Sequence, residues 1–148
     1  TYPVLLVLLP GFLGTAGALG GVLSSRLATK LHLGLLHPGP LPRGPAGGDI
    51  VMVFALSVPV FAAAGAVAEL GGALTNQASP GLIDVMSVAV LGGILATFFV
   101  VVVAYYATIV AHRFGLDPDT YGIPMVTSSL DFVGAFTLIL AIVAVGVA

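Results

Sequence analysis

The stretch LIDVMSVAVLGGILATFFVVVVAYYATIVA, residues 82–111, decides the fold, because Asp84 is its only charged residue. A helix of about 20 apolar residues crosses a hydrocarbon core about 30 Å thick, so this stretch is long enough to span a membrane. Its β-branched segment FFVVVV, residues 98–103, would favour a strand in water, but a lone strand in lipid leaves its backbone groups unpaired. Strands of membrane barrels also alternate in polarity over about 10 residues, which this stretch does not do. It is therefore predicted to be a transmembrane helix.

Three other stretches have the same character, so the sequence predicts an all-α membrane protein, a polytopic helix bundle in one domain. Its four spans should cover about residues 2–25, 50–74, 82–111 and 122–148. The connector at residues 36–49, LHPGPLPRGPAGGD, is dense in Pro and Gly, so we expect a loop there. The chain is 59% hydrophobic and 7% charged, against about 25% charged in soluble domains, which excludes a soluble globular protein.

The charged residues and the absence of cysteine exclude several function classes. Four Lys or Arg against six Asp or Glu give a net charge of −2, which is too little basic surface for a nucleic-acid partner. Without cysteine the chain has no disulfide, no thiolate nucleophile and no thiolate metal site. Oxygen atoms and His remain as metal ligands, and the lipid bilayer is the expected surrounding.

The basic residues predict the orientation of the spans. Arg26, Lys30 and Arg43 flank the first connector and Arg113 lies in the third, whereas the second has no basic residue. The first and third connectors share one side when successive spans alternate in direction. Because cytoplasmic loops carry the excess of Lys and Arg, we predict a multi-pass protein of the cell membrane with the connectors at residues 26–49 and 112–121 in the cytoplasm.

Asp131 is the candidate ion-binding residue. It lies nine positions after Gly122, about 14 Å along a helix, and therefore close to the middle of the membrane. A carboxylate there costs at least ~2.5 kcal/mol on insertion scales and is functional by default. Thr127, Ser128 and Pro124 share its helical face, and Pro124 leaves the carbonyl four residues earlier free. We predict a metal site of Asp131, Thr127 and Ser128, with Pro124 contributing to the ion path; a protonated Asp131 bonded to a neighbouring helix is the structural alternative.

The first span contains many glycines, at positions 11, 14, 17, 20 and 21. Glycine at this spacing allows another backbone to approach closely, and it also makes exposure of backbone carbonyls to an ion inexpensive. Both interpretations of Gly14 and Gly17 stay open. On the opposite side, Glu69 and Asp84 have no basic residue nearby and would attract cations to an external mouth, unless they are only solvated interfacial carboxylates.

Two stretches resemble the MgtE magnesium channel family and its solute-carrier relatives in animals. Residues 116–134, LDPDTYGIPMVTSSLDFVG, are similar to that family's last connector and helix, where a DP turn precedes a P-x-x-T-S/T-x-x-D helix. Residues 8–34, LLPGFLGTAGALGGVLSSRLATKLHLG, are similar to its glycine-rich second helix, G-x-G-G-N-x-G followed by S-R-L-S/A-T.

The resemblance implies a fold with five helices per repeat, the N-terminus inside and the C-terminus outside. A fifth, N-terminal span is therefore expected in addition to the four visible here. The resemblance also implies that Asp131 is the principal ion-binding carboxylate, with Thr127 and Pro124 in its motif. The family's Asn falls at Ala18, so any contribution of this position to the path lacks a side-chain amide.

These observations predict transmembrane transport of divalent cations, with Mg²⁺ as the expected ion. One mid-membrane carboxylate per chain does not neutralise a divalent ion, but the two Asp131 side chains of a homodimer do. Mg²⁺ keeps several of its waters, so the site should contact the ion largely through them. The alternatives are a structural membrane subunit and an intramembrane aspartyl protease. The protease would need a second carboxylate, and Asp84 lies too near the end of its span, so no enzyme is predicted.

Overall fold

The computed structural model describes residues 2–147, and within this range every regular element is a helix. The four helices are α1 (Val4–His32), α2 (Pro45–Leu74), α3 (Leu82–Arg113) and α4 (Pro118–Val145). Each is long and apolar enough to cross a membrane, which confirms the predicted all-α membrane bundle. The helices overlap the four predicted spans, of which residue 148 lies outside the described range. How much of each helix lies in lipid stays a prediction.

The loop prediction for residues 36–49 is wrong at its C-terminal end. Helix α2 begins at Pro45, so the last five residues of this stretch, 45–49, are helical. Proline is well suited to the first helical position, because its fixed φ matches the helix and its missing N–H would have had no partner there. Gly44 precedes it with a φ of 58°, a conformation that glycine adopts without steric cost.

The helices pack with α1 and α3 in the centre and α2 and α4 at opposite corners. Within residues 2–147, α1 and α3 each contact all three other helices, whereas α2 and α4 do not contact each other. Small residues bring the backbones together, as in other membrane bundles. A Cβ added to Gly93 of α3 would lie 2.2 Å from the Phe61 ring of α2, and the Phe61 and Phe12 ring centroids are 5.0 Å apart.

One end of the bundle gathers the first and third connectors. The hydroxyl of Tyr105 donates to the carbonyl of Gly39 at 3.0 Å, and that of Tyr106 donates to the carbonyl of Pro40 at 2.9 Å. Arg113 at the end of α3 also donates to a connector carbonyl, at 3.4 Å. The first connector is therefore fastened to α3, and all four basic residues lie towards this end, called the basic end below.

Candidate ion-binding site

Asp131 lies at the middle of α4, about 20 Å from either end of that helix. Its side chain is exposed on the surface of the bundle, while the preceding Leu130 is buried. The buried side of α4 packs against α1 and α3, so the carboxylate points away from the interior of its own bundle. A single chain therefore does not enclose Asp131.

The three other predicted residues of α4 are exposed on the same face as Asp131: Pro124, Thr127 and Ser128. The Thr127 hydroxyl donates to the carbonyls of Ile123, at 3.2 Å, and Pro124, at 3.1 Å. Its proton is therefore directed at the helix, which leaves the oxygen lone pairs to accept hydrogen bonds from the outside. This face of α4 is rich in oxygen acceptors.

Helix α1 lies beside this face in an antiparallel direction. A Cβ on Gly17 would lie 3.6 Å from the Thr127 side chain, and Gly134 lies against Leu13 of α1. Asp131 falls between these two contacts along α4. Gly14 and Ala18 are exposed next to them, with open space around Gly14.

We call this surface the ion face. It consists of seven residues, three on α1 and four on α4: Gly14, Gly17, Ala18, Pro124, Thr127, Ser128 and Asp131.

Glu69 and Asp84 are not part of the ion face. Glu69 lies near the end of α2 and accepts a hydrogen bond from the Ser79 hydroxyl at 2.5 Å, and that hydroxyl accepts from the Gly81 N–H at 3.0 Å. This carboxylate therefore orders the turn between α2 and α3. Asp84 lies in the first turn of α3, where its charge favours the helix N-terminus. Both lie at the end of the bundle opposite the basic end.

Asp49 is the polar residue that sequence reasoning missed. It is 2% exposed, yet its carboxylate accepts from Arg26 Nε at 2.8 Å and from Lys30 Nζ at 2.5 Å. These contacts join the end of α1 to the start of α2. The signal was present in the sequence, because Arg26 and Lys30 are four residues apart and so occupy one helical face, but Asp49 was assigned to a loop.

The His residues do not provide a metal site together with the carboxylates. His32 and His112 lie near each other at the basic end, with ring centroids 6.2 Å apart and nearly perpendicular rings. Among residues 2–147, no three His, Asp or Glu side chains lie close enough together to hold a metal ion. Asp131 is therefore the single carboxylate of the ion face in one copy of the chain.

Asp117 is the N-cap of α4. Its carboxylate accepts from the Thr120 hydroxyl at 2.5 Å and from the Asp119 N–H at 3.3 Å. The Thr120 hydrogen bond holds the pKa of Asp117 below its usual value, so this residue is a carboxylate at neutral pH. Asp117 fixes where α4 starts and thereby how far along this helix Asp131 lies.

Comparison with known proteins gives one match. The family model described as MgtE, divalent cation transporter, matches residues 9–141, a range that includes the whole ion face. No curated protein and no solved structure matches the chain.

Proposed function

We propose that this chain, which belongs to the MgtE family of divalent cation transporters, carries Mg²⁺ across the cell membrane as a homodimer. The family consists of transporters and not of enzymes, so the protease alternative is rejected. The observation that carries the proposal is the position of Asp131, exposed at the middle of a membrane-spanning helix.

The exposure of Asp131 supports a second copy of the chain. A carboxylate in contact with lipid at this depth is unfavourable by several kcal/mol, so such residues face a bundle interior or a water-filled path. In this chain the interior side of α4 is occupied by α1 and α3. A twofold axis beside the ion face would cover both Asp131 side chains and place two negative charges near one ion. Helices α1 and α4 of both copies would then line the path.

The ion would be held mainly through its water shell. Mg²⁺ gives up its waters reluctantly and prefers oxygen ligands, so carboxylates and hydroxyls that accept hydrogen bonds from those waters suit it. Ser128 is exposed, and Thr127 keeps its lone pairs available because its proton is used within α4. Gly14 and Ala18 of α1 are exposed beside these hydroxyls, and the open space at Gly14 lets the water shell of the ion approach the helix closely.

The charges at the two ends support the orientation with the basic end in the cytoplasm. Glu69 and Asp84 would then lie on the external side and raise the local cation concentration there. Because they lie off the ion face, this effect should be small and should disappear at high salt.

Flux of Mg²⁺ into reconstituted vesicles tests the proposal. Asp131→Asn keeps the shape of the side chain and one acceptor oxygen but removes the charge, so flux should fall at least tenfold at equal protein incorporation. Asp119→Asn is the matched control, since it makes the same change in the first turn of the same helix, and it should retain most of the flux. Unchanged flux in Asp131→Asn would show that Asp131 is structural and would refute the site, whereas absence of flux through the unmodified protein would favour a structural membrane subunit.

A further inference from the structure

We propose that the first connector binds the phosphate group of an anionic phospholipid in a pocket at the basic end. In the structure this connector comprises residues 33–44, between α1 and α2. The pocket has a volume of about 360 Å³ and is lined by connector residues from Leu35 onwards together with Pro45. Two of the lining residues, His37 and Arg43, have exposed side chains that can donate hydrogen bonds to an anion.

The carbonyl groups of the connector are engaged by α3. The hydroxyls of Tyr105 and Tyr106 and the guanidinium of Arg113 donate to three successive carbonyls, those of residues 38–40. A phosphate group carries only acceptor oxygens at its charged end, so unpaired carbonyls in its site would repel it. The contacts with α3 satisfy three of these carbonyls and lessen that repulsion.

The N–H groups of the connector are left available. Those of residues 33–36 donate to carbonyls of α1, and the three prolines have none. Within residues 2–147, the remaining five N–H groups donate to no backbone carbonyl, and all five belong to residues that line the pocket: His37, Gly39, Leu41, Arg43 and Gly44. Clustered backbone N–H groups in turns form anion-binding concavities. The pocket is therefore surrounded by an excess of donors.

Two arginines give the pocket a positive charge. Arg43 lines it, and Arg113 lies at its edge, because its guanidinium bonds to the carbonyl of the lining residue Pro38 at 3.4 Å. Both side chains are exposed, and residues 33–44 contain no carboxylate. A guanidinium binds phosphate oxygens in a bidentate way and keeps its charge at every physiological pH.

The carboxylates of the basic end are engaged elsewhere. Asp49 is buried and is paired with Arg26 and Lys30. Asp117 and Asp119 lie at the start of α4, a helix that does not contact α2. Among the residues that the structure describes, none of these three carboxylates forms an ion pair with either arginine of the pocket. Arg43 and Arg113 therefore remain able to bind an external anion.

Exposed leucines on the connector indicate that the phosphate comes from a lipid. Leu33, Leu35 and Leu41 are each more than half exposed, and exposure of large apolar side chains to water is unfavourable. At the end of membrane-spanning helices, such side chains can instead enter the boundary between headgroups and acyl chains. The donors beside them then lie at the level of the phosphates, where basic pockets bind lipid headgroups. A soluble phosphate would not use these leucines.

Lipid binding to variants of Arg43 tests the pocket. Purified protein in mild detergent is titrated with phosphatidylglycerol, and bound lipid is measured by native mass spectrometry. Arg43→Gln removes a charge-assisted contact to the phosphate, so the dissociation constant should rise about tenfold. Arg26→Gln is the matched control, because it removes the same charge at the same end from a side chain that does not line the pocket. Equal affinities of the two variants would overturn the site.

Two competitors distinguish a lipid headgroup from other sources of phosphate. Phosphatidylcholine has the same phosphodiester without the net negative charge, so it should bind several-fold more weakly than phosphatidylglycerol. Inorganic phosphate in the millimolar range should not displace the lipid. Equal binding of the two lipids would overturn the selection for an anionic lipid. Displacement by inorganic phosphate would assign the pocket to a soluble anion and overturn the lipid.

A single cysteine locates the lipid without any change to Arg43. Leu33→Cys, in a chain that has no other cysteine, is labelled with bimane in vesicles. Phosphatidylglycerol with a nitroxide near its headgroup should quench the label more than phosphatidylcholine with the same nitroxide. Leu74→Cys is the control, because Leu74 is exposed at the other end of α2, and the two lipids should quench it equally. No preference at Leu33, or the same preference at both positions, would refute the proposal. These experiments do not measure Mg²⁺ flux, so their failure would leave the proposed function unaffected.

Discussion

Gly20→Ala should separate α1 from α4 and destabilise the bundle. A Cβ at this position would lie 2.3 Å from Val126 Cγ1 and 3.2 Å from Val100 Cγ1. The first distance is about 1.1 Å short of the 3.4 Å at which ordinary contact begins. Val126 is fully buried and, being β-branched in a helix, has essentially one χ1 rotamer, so it cannot turn away. The backbones must shift, and overpacking of this kind costs about 1–3 kcal/mol.

Gly21→Ala is the matched control, because nothing lies within 4 Å of the Cβ it would add. Both variants gain the same helix propensity, up to about 1 kcal/mol, so the difference in unfolding free energy between them isolates the packing term. Unfolding in mixed micelles with rising SDS, followed by circular dichroism, measures that difference. Adding Val126→Ala should restore most of the stability lost in Gly20→Ala, since the atoms left near the added Cβ would be Val100 Cγ1 at 3.2 Å and the Val126 Cβ at 3.6 Å.

A difference below about 0.5 kcal/mol, the size of an ordinary surface effect, would refute the close contact between α1 and α4. Absence of rescue by Val126→Ala would refute Val126 as its cause. Because these helices carry the ion face, Mg²⁺ flux through Gly20→Ala should fall together with its stability, and the double variant should recover both.

Four further predictions concern the ion pairs of Asp49, the ion face, the orientation in the membrane and the number of chains. Asp49→Asn should lower the unfolding free energy by about 1–3 kcal/mol, because the buried carboxylate loses its charge while the side chains of Arg26 and Lys30 keep 48% and 23% of their surface in contact with solvent; an unchanged SDS midpoint would contradict the ion pairs. Ser128→Ala should reduce Mg²⁺ flux a few-fold and Ser129→Ala less, since Ser129 bonds to its own helix; a larger loss in Ser129→Ala would argue against the ion face. In intact cells, Asn76→Cys should react with impermeant thiol reagents and Arg43→Cys should not, and the reverse would invert the topology. Mass measurement in mild detergent should give two chains, whereas a monomer that still transports Mg²⁺ would refute the charge argument.

The number of helices in residues 2–147 and the position of Asp131 near the middle of its helix could be predicted from the sequence, because span length and isolated charges are strong signals in lipid. The start of α2 could not be. Proline and glycine in residues 36–49 indicate a loop equally at every position, and only the structure shows that Pro45 is the first helical residue. Because of this difference the role of Asp49 was not predicted. As a loop residue it would have faced solvent, but in the structure it is buried and forms ion pairs with Arg26 and Lys30.

The tyrosines of α3 show a second limit of the sequence. Tyr105 and Tyr106 lie in the last third of an apolar helix and could be expected to pack or to contact water. Sequence spacing gives no indication of a partner 66 residues earlier in the chain. The partners are backbone carbonyls of a proline-rich connector, which has few N–H groups to pair with them. Long-range pairs of this kind depend on how α1 and α3 pack. In lipid, that packing cannot be inferred from a division of each helix into a polar and an apolar side.

The same property of membrane helices explains why the buried side of α4 could not be identified without a structure. In water, the apolar stripe of a helix identifies the side that packs inwards, but α4 is apolar towards its own bundle and towards lipid. Its buried side is set by small and branched residues four apart, Gly122, Val126, Leu130 and Gly134, and this places Asp131 outwards. If two copies share the path, each holds half of the charge needed for one divalent ion. An ion that binds only where both halves meet must, by linkage, favour the dimer over the monomer. Dissociation of the dimer should therefore decrease as Mg²⁺ concentration rises in the wild-type protein, and should respond far less to Mg²⁺ in Asp131→Asn.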